Sequence, residues 1–157
     1  LVAGTAYLIG ALSGGRDVLQ PLSGLRGVAA VPATSAHAVN FQRVGSLAEL
    51  DLAVRAAAGK TVMLDFYADW CVSCKEMERY TFSDAAVQAA LKGYLFLQAD
   101  VTANSEADKA LLKRFDLFGP PGIIFFNAQG LEKADTRVIG HQDVGQFLQS
   151  IENAESI

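Results

Sequence analysis

Cys71 and Cys74 are the only two cysteines in the 157-residue chain, and two residues separate them. Sulfurs at that spacing suit three chemistries: a redox dithiol, half of a metal site, or a small structural disulfide. A zinc site needs two further ligands, yet the sequence holds no third cysteine, and its two histidines, His37 and His141, are far apart and unpaired. A disulfide across two residues closes too small a loop to stabilise much, because the entropic gain grows with loop length. Redox exchange is the favoured of the three readings, with a dithiol that holds a soft metal ion as the rival from another class.

The surrounding residues predict how the sulfurs are placed. Thr61 to Tyr67 is an apolar run of strand formers interrupted only by Asp65, as expected of a central strand covered on both faces. It stops at Ala68-Asp69-Trp70, and a helix-forming run begins at Cys71. The first N–H groups of a helix lack intrahelical partners and carry partial positive charge, which favours a thiolate on Cys71. Cys74 lies one turn further on the same face. Glu78 is four residues beyond Cys74 and falls on that face too, while Asp65 sits between Leu64 and Phe66 in an apolar setting. Carboxylates there disfavour a thiolate, so Asp65 and Glu78 are expected to hold the pKa of Cys71 above what a helix N-terminus alone would give. The alternative for Glu78 is an ion pair with Lys75 or Arg79 on a wet surface. Trp70 reads as a partly exposed packing or recognition residue, Lys75 and Glu76 as a solvated helix face, and His141 as a surface histidine.

Around this centre the chain divides by composition. Residues 1–12 are almost wholly apolar but too few to cross a bilayer, which takes about 20. They read either as the end of a transmembrane helix or as a stray apolar terminus. Residues 13–38 are rich in Gly, Pro, Ser, Ala and Thr without period, as in a flexible linker, and 39–157 form one domain. Its expected elements are a strand at Val39–Val44, a helix capped by Ser46, the strand and cysteine helix above, an interruption at Thr81–Asp84 and a second helical piece. A strand at Tyr94–Ala99, a helix through Phe115, a strand at Ile123–Phe126, a strand at Thr136–Ile139 and a closing helix complete the order βαβαβαββα. That is an α/β fold with helices on both faces of the sheet. Eleven basic and 16 acidic residues beyond residue 40 leave no basic stripe, which argues against nucleic acid as a partner.

The run Val62-Met-Leu-Asp65-Phe-Tyr-Ala-Asp-Trp70-Cys71-Val-Ser-Cys74-Lys-Glu, with Tyr80-Thr-Phe-Ser-Asp84, Gln98 to Asn104 and Gly119-Pro-Pro-Gly-Ile-Ile-Phe-Phe126, resembles the thioredoxin superfamily. It is most similar to the C-terminal thioredoxin-like domains of the DsbD family of thiol:disulfide interchange proteins, over roughly residues 40–152. The resemblance implies a thioredoxin-like fold with a central mixed β-sheet. It implies Cys71 as exposed attacking thiol and Cys74 as resolving thiol, and gives Asp65 the position of the buried acid. It also makes Pro121 a cis-proline that, with Trp70, meets the partner; the reading from the residues alone is a proline pair that ends the helix. The usual pattern is departed from at Pro120, which lacks an N–H, and at Gly122.

As to function, the resemblance implies a protein-disulfide reductase domain at the periplasmic face of the bacterial inner membrane. It would take electrons from the transmembrane domain of its parent and pass them to the N-terminal domain. From there they reach periplasmic disulfide isomerases and the thioredoxins of cytochrome c maturation. No dissociable cofactor and no metal is implied. A free-standing thioredoxin-like reductase is the rival within redox chemistry.

Overall fold

The computed structural model describes residues 39–156; the expected membrane-helix end at 1–12 and linker at 13–38 lie outside the described residues. Five strands form one sheet in the order β1-β3-β2-β4-β5. They are β1 (Gln42–Arg43), β2 (Val62–Tyr67), β3 (Leu95–Asp100), β4 (Gly122–Phe126) and β5 (Val138–Ile139). β2 runs parallel to β3 and antiparallel to β4, so the sheet is mixed. The helices are α1 (Leu47–Ala56), α2 (Val72–Glu76), α3 (Ala85–Ala90), α4 (Glu106–Arg114) and α5 (Val144–Ser156).

The sheet separates two apolar clusters. Leu64, Phe66, Leu97 and Ile124 pack with Leu50 of α1 and Leu111 of α4 on one face. Met63, Ile123 and Phe125 pack with Met77, Val87 of α3, and Phe147 and Ile151 of α5 on the other. All six residues of β2 are buried, as the unbroken apolar run demands. This alternation puts Asp65 on the second face, level with Met63.

Local signals set the ends of the helices. Ser46 Oγ accepts the Glu49 N–H, although the Glu49 carboxylate reaches back to Gly45 N–H rather than to Ser46 itself. Asp84 caps α3 and Ser105 caps α4 in a reciprocal box with Asp108. The expected edge strands are shorter than read: Val39–Val44 pairs only at Gln42–Arg43, and Thr136 ends a 3₁₀ turn, leaving β5 two residues. The α-helix begun at Val72 also widens at Met77–Thr81 into a π turn, where Phe82 N–H bonds the Met77 carbonyl.

Candidate active site

The two sulfurs sit where β2 leaves the sheet. After Tyr67 the chain turns through Ala68–Trp70, closed by the Cys71 N–H bonding the Ala68 carbonyl. The turn is clamped from the β3–α4 loop: Asp69 N–H donates to Thr102 Oγ1 at 2.9 Å, and the Trp70 indole N–H to the Thr102 carbonyl at 3.3 Å. Cys71 is the N-cap of α2, its Sγ accepting the Cys74 N–H at 3.2 Å. The sulfurs are joined in a disulfide of 2.17 Å. Cys74 Sγ lies 3.8 Å from the Phe66 carbonyl. The two sulfurs thus have unlike neighbours, a backbone N–H at Cys71 and a backbone carbonyl at Cys74.

Neither sulfur is widely exposed. Cys71 is 6% and Cys74 3% accessible, so the exposed attacking thiol expected from sequence is narrowed to a small window. That window is flanked by Trp70 and Val72, 61% and 69% exposed. The Pro120–Pro121 bond is cis, and the Pro121 carbonyl accepts the Gly140 N–H. Gly122 has a packing reason: a Cβ there would lie 2.8 Å from Leu117 Cδ1. Lys75 and Glu76 are exposed, as expected of a solvated helix face. His141 is at the surface as read, but it is not remote from the site, since its Nε2 lies 3.9 Å from Glu76 of α2.

Asp65 and Glu78 are brought together by a residue the sequence reading gave no role. Gln98 of β3 is in register with Asp65, and its Nε2 donates to Asp65 Oδ2 at 2.9 Å and to Glu78 Oε1 at 3.2 Å. One buried amide thus clamps two carboxylates. Burial pushes the Asp65 carboxyl up to about 7; the Gln98 hydrogen bond opposes this, the Glu78 charge adds to it, and Arg43 opposes it again. The signal for Gln98 in the sequence is a polar residue between Leu97 and Ala99, in the apolar part of an inner strand; Thr102, in a polar loop, has no comparable signal. The wet-surface reading of Glu78 is not what the structure shows, because its carboxylate turns inward to Gln98. Among the described residues no group of three or more His, Cys, Asp or Glu side chains is arranged to hold a metal ion.

A cysteine pair at disulfide distance that caps the helix following the central strand of this mixed sheet is the arrangement of a thioredoxin-like domain. A thioredoxin-like family model matches residues 46–128. The chain is 57% identical over 155 residues, 98% of its length, to the thiol:disulfide interchange protein DsbD of Ralstonia nicotianae, and 51% identical over 119 residues to that of Yersinia pestis. It spans only 25% and 20% of those proteins, respectively. The oxidised C-terminal domain of Neisseria meningitidis DsbD superposes with a TM-score of 0.57 at 39% identity, covering 68% of this chain and 90% of that one. The chain belongs to the family of DsbD C-terminal thioredoxin-like domains. A Thermus thermophilus thioredoxin, 21% identical with a TM-score of 0.59, shares the fold.

Proposed function

We propose that Cys71 is the attacking thiol and Cys74 the resolving thiol of a domain that relays electrons from a membrane-embedded part of its parent to periplasmic partners. The observation that carries the assignment is the unequal setting of the sulfurs. Cys71 Sγ accepts a backbone N–H at the start of α2 beside exposed Trp70 and Val72, whereas Cys74 Sγ is directed at the Phe66 carbonyl beneath. In the exchange, the Cys71 thiolate attacks one sulfur of a partner disulfide, and the partner's other sulfur leaves as a thiolate. Cys74, as thiolate, then attacks Cys71 Sγ, closing the 71–74 disulfide and releasing the partner's second thiolate. Two electrons pass to the partner and no cofactor is consumed.

Asp65 and Glu78 are the groups that hold Cys71 protonated until a partner docks, since negative charge on the sheet side of α2 opposes the thiolate. Trp70 and Pro121 frame the window through which the partner reaches the sulfur. The parent's N-terminal and transmembrane domains are the immediate partners, with periplasmic isomerases and cytochrome c maturation thioredoxins further on. The short share of the DsbD proteins spanned by this chain supports a multidomain parent. Among the described residues no helix is long and apolar enough to cross a membrane, so the proposed anchor rests on the composition of residues 1–12.

The test is mixed-disulfide trapping. Cys74→Ala should accumulate adducts through Cys71 that mass spectrometry identifies, and Cys71→Ala should be inert. Equal trapping by both variants would contradict the assignment of roles.

A further inference from the structure

Three consecutive residues after β5 meet three other segments of the chain. Gly140 N–H donates to the Pro121 carbonyl at 3.1 Å, His141 Nε2 lies 3.9 Å from the Glu76 carboxylate, and the Gln142 carbonyl accepts the Thr81 hydroxyl at 2.8 Å. The last contact is the most telling. A threonine within a helix commonly turns its hydroxyl back to the carbonyl four residues earlier, which here is Met77. Instead, the Met77 carbonyl takes the N–H of Phe82, five residues on, and the Thr81 hydroxyl crosses to another segment. Thr81 is 1% exposed, so the hydrogen bond is made in a dry setting where losing it is costly. The π turn is therefore held from outside the helix, and Glu78 is its second residue.

We infer that Thr81 is a positioning residue: its bond to the Gln142 carbonyl holds the π turn in the form that keeps the Glu78 carboxylate on Gln98, and so beside Asp65. The inference rests on the reading that Glu78 helps keep Cys71 protonated. It adds to that reading a distant polar contact, more than 60 residues away in sequence, as the origin of Glu78's placement. From neighbouring elements, the Arg43 charge of β1 acts on Asp65, and the Glu78 charge in turn helps raise the pKa of Tyr67 of β2. The segment 140–142 contributes His141, whose Nε2 lies 3.9 Å from the Glu76 carboxylate.

The experiment is the pH profile of alkylation of Cys71 in the reduced protein, followed by mass of the Cys71 peptide, in the parent, Thr81→Val, Thr81→Ser, Glu78→Gln and Glu78→Gln with Thr81→Val. Valine keeps the shape and removes the hydroxyl; serine restores the hydroxyl. The expected result is that Thr81→Val moves the profile to lower pH in the same direction as Glu78→Gln, raising the rate at pH 7 by roughly two- to tenfold. Thr81→Ser should stay with the parent, and Thr81→Val should add nothing once Glu78 is Gln, because residues acting as one unit are non-additive. A Thr81→Val profile at the parent's position, or an equal shift in the Glu78→Gln background, overturns the inference while leaving the role of Glu78 intact. A Glu78→Gln profile identical to the parent's overturns both. If Thr81→Val does not fold, Thr81→Ala removes the same hydroxyl without added bulk and is judged by the same outcomes.

Discussion

Replacing Asp65 by Asn should make the protein more stable in mildly alkaline solution, and the gain should disappear in acid. Asp65 is 4% exposed, and its pKa rises from 3.8 to about 7 on folding. Between those values the native state holds a proton that the unfolded chain has lost, so stability falls as pH rises. The contribution is fully present below about 4 and is lost as pH climbs through about 7. A difference of about three pK units at 1.36 kcal/mol each gives an upper figure on the order of 4 kcal/mol by pH 8. Asparagine keeps the shape, its carbonyl can still accept from Gln98, and its amide can donate toward Glu78, so the variant avoids the cost of ionisation without opening a cavity. Denaturant unfolding of both proteins from pH 4 to 8.5 is the assay, and the difference between the two curves isolates Asp65 from the other carboxylates. The difference should be small at pH 4 and grow to a few kcal/mol above pH 7. Parallel curves, or a variant less stable at pH 8 than at pH 4 relative to the parent, would refute the reasoning.

Two further outcomes follow from the geometry. Gly122→Ala places a Cβ 2.8 Å from Leu117 Cδ1 and should lower stability by about 1–3 kcal/mol, with Leu117→Ala added to the same chain recovering part of the loss in thermal melts. Neutralising the acid pair should lower the apparent pKa of Cys71 stepwise, Asp65→Asn and Glu78→Gln each contributing, as read by thiolate absorbance in the reduced protein. An unchanged or rising value would remove both carboxylates from the account.

The parts of this architecture that were legible in the sequence are those fixed by local pattern. The apolar run ending at Trp70 and the helical run from Cys71 gave the strand, the turn and the position of both sulfurs, and the buried acid stood out as the single charge inside β2. α-Helical spacing puts Glu78 on the sulfurs' own face, but the residue lies inside the π turn that begins at Met77, so that spacing alone does not fix where its carboxylate goes. The π turn itself left no mark, since the buried residues Cys74, Met77 and Thr81 keep ordinary helical spacings of three and four. Gln98 and Thr102 were missed for another reason. Their roles depend on strand register and loop packing between residues 20 to 33 positions apart, and no short-range pattern encodes which partner a polar side chain will meet. The edge strands were overdrawn because alternation records a half-buried surface, whereas pairing needs a neighbour. β1 finds one only at Gln42–Arg43, and β5 only at Val138–Ile139.

If Cys71 and Cys74 form a reversible two-electron couple, the pair equilibrates with glutathione. The parent protein is incubated in buffers of graded reduced-to-oxidised glutathione ratio, quenched with acid, and the fractions with free and bridged cysteines are counted by mass after alkylation. The expected result is a single reversible transition between the bridged and dithiol forms, reached from either side, with the slope of a two-electron exchange and without any added metal. A cysteine pair whose state does not follow the glutathione ratio, or which exchanges only when a soft metal ion is removed, would contradict it.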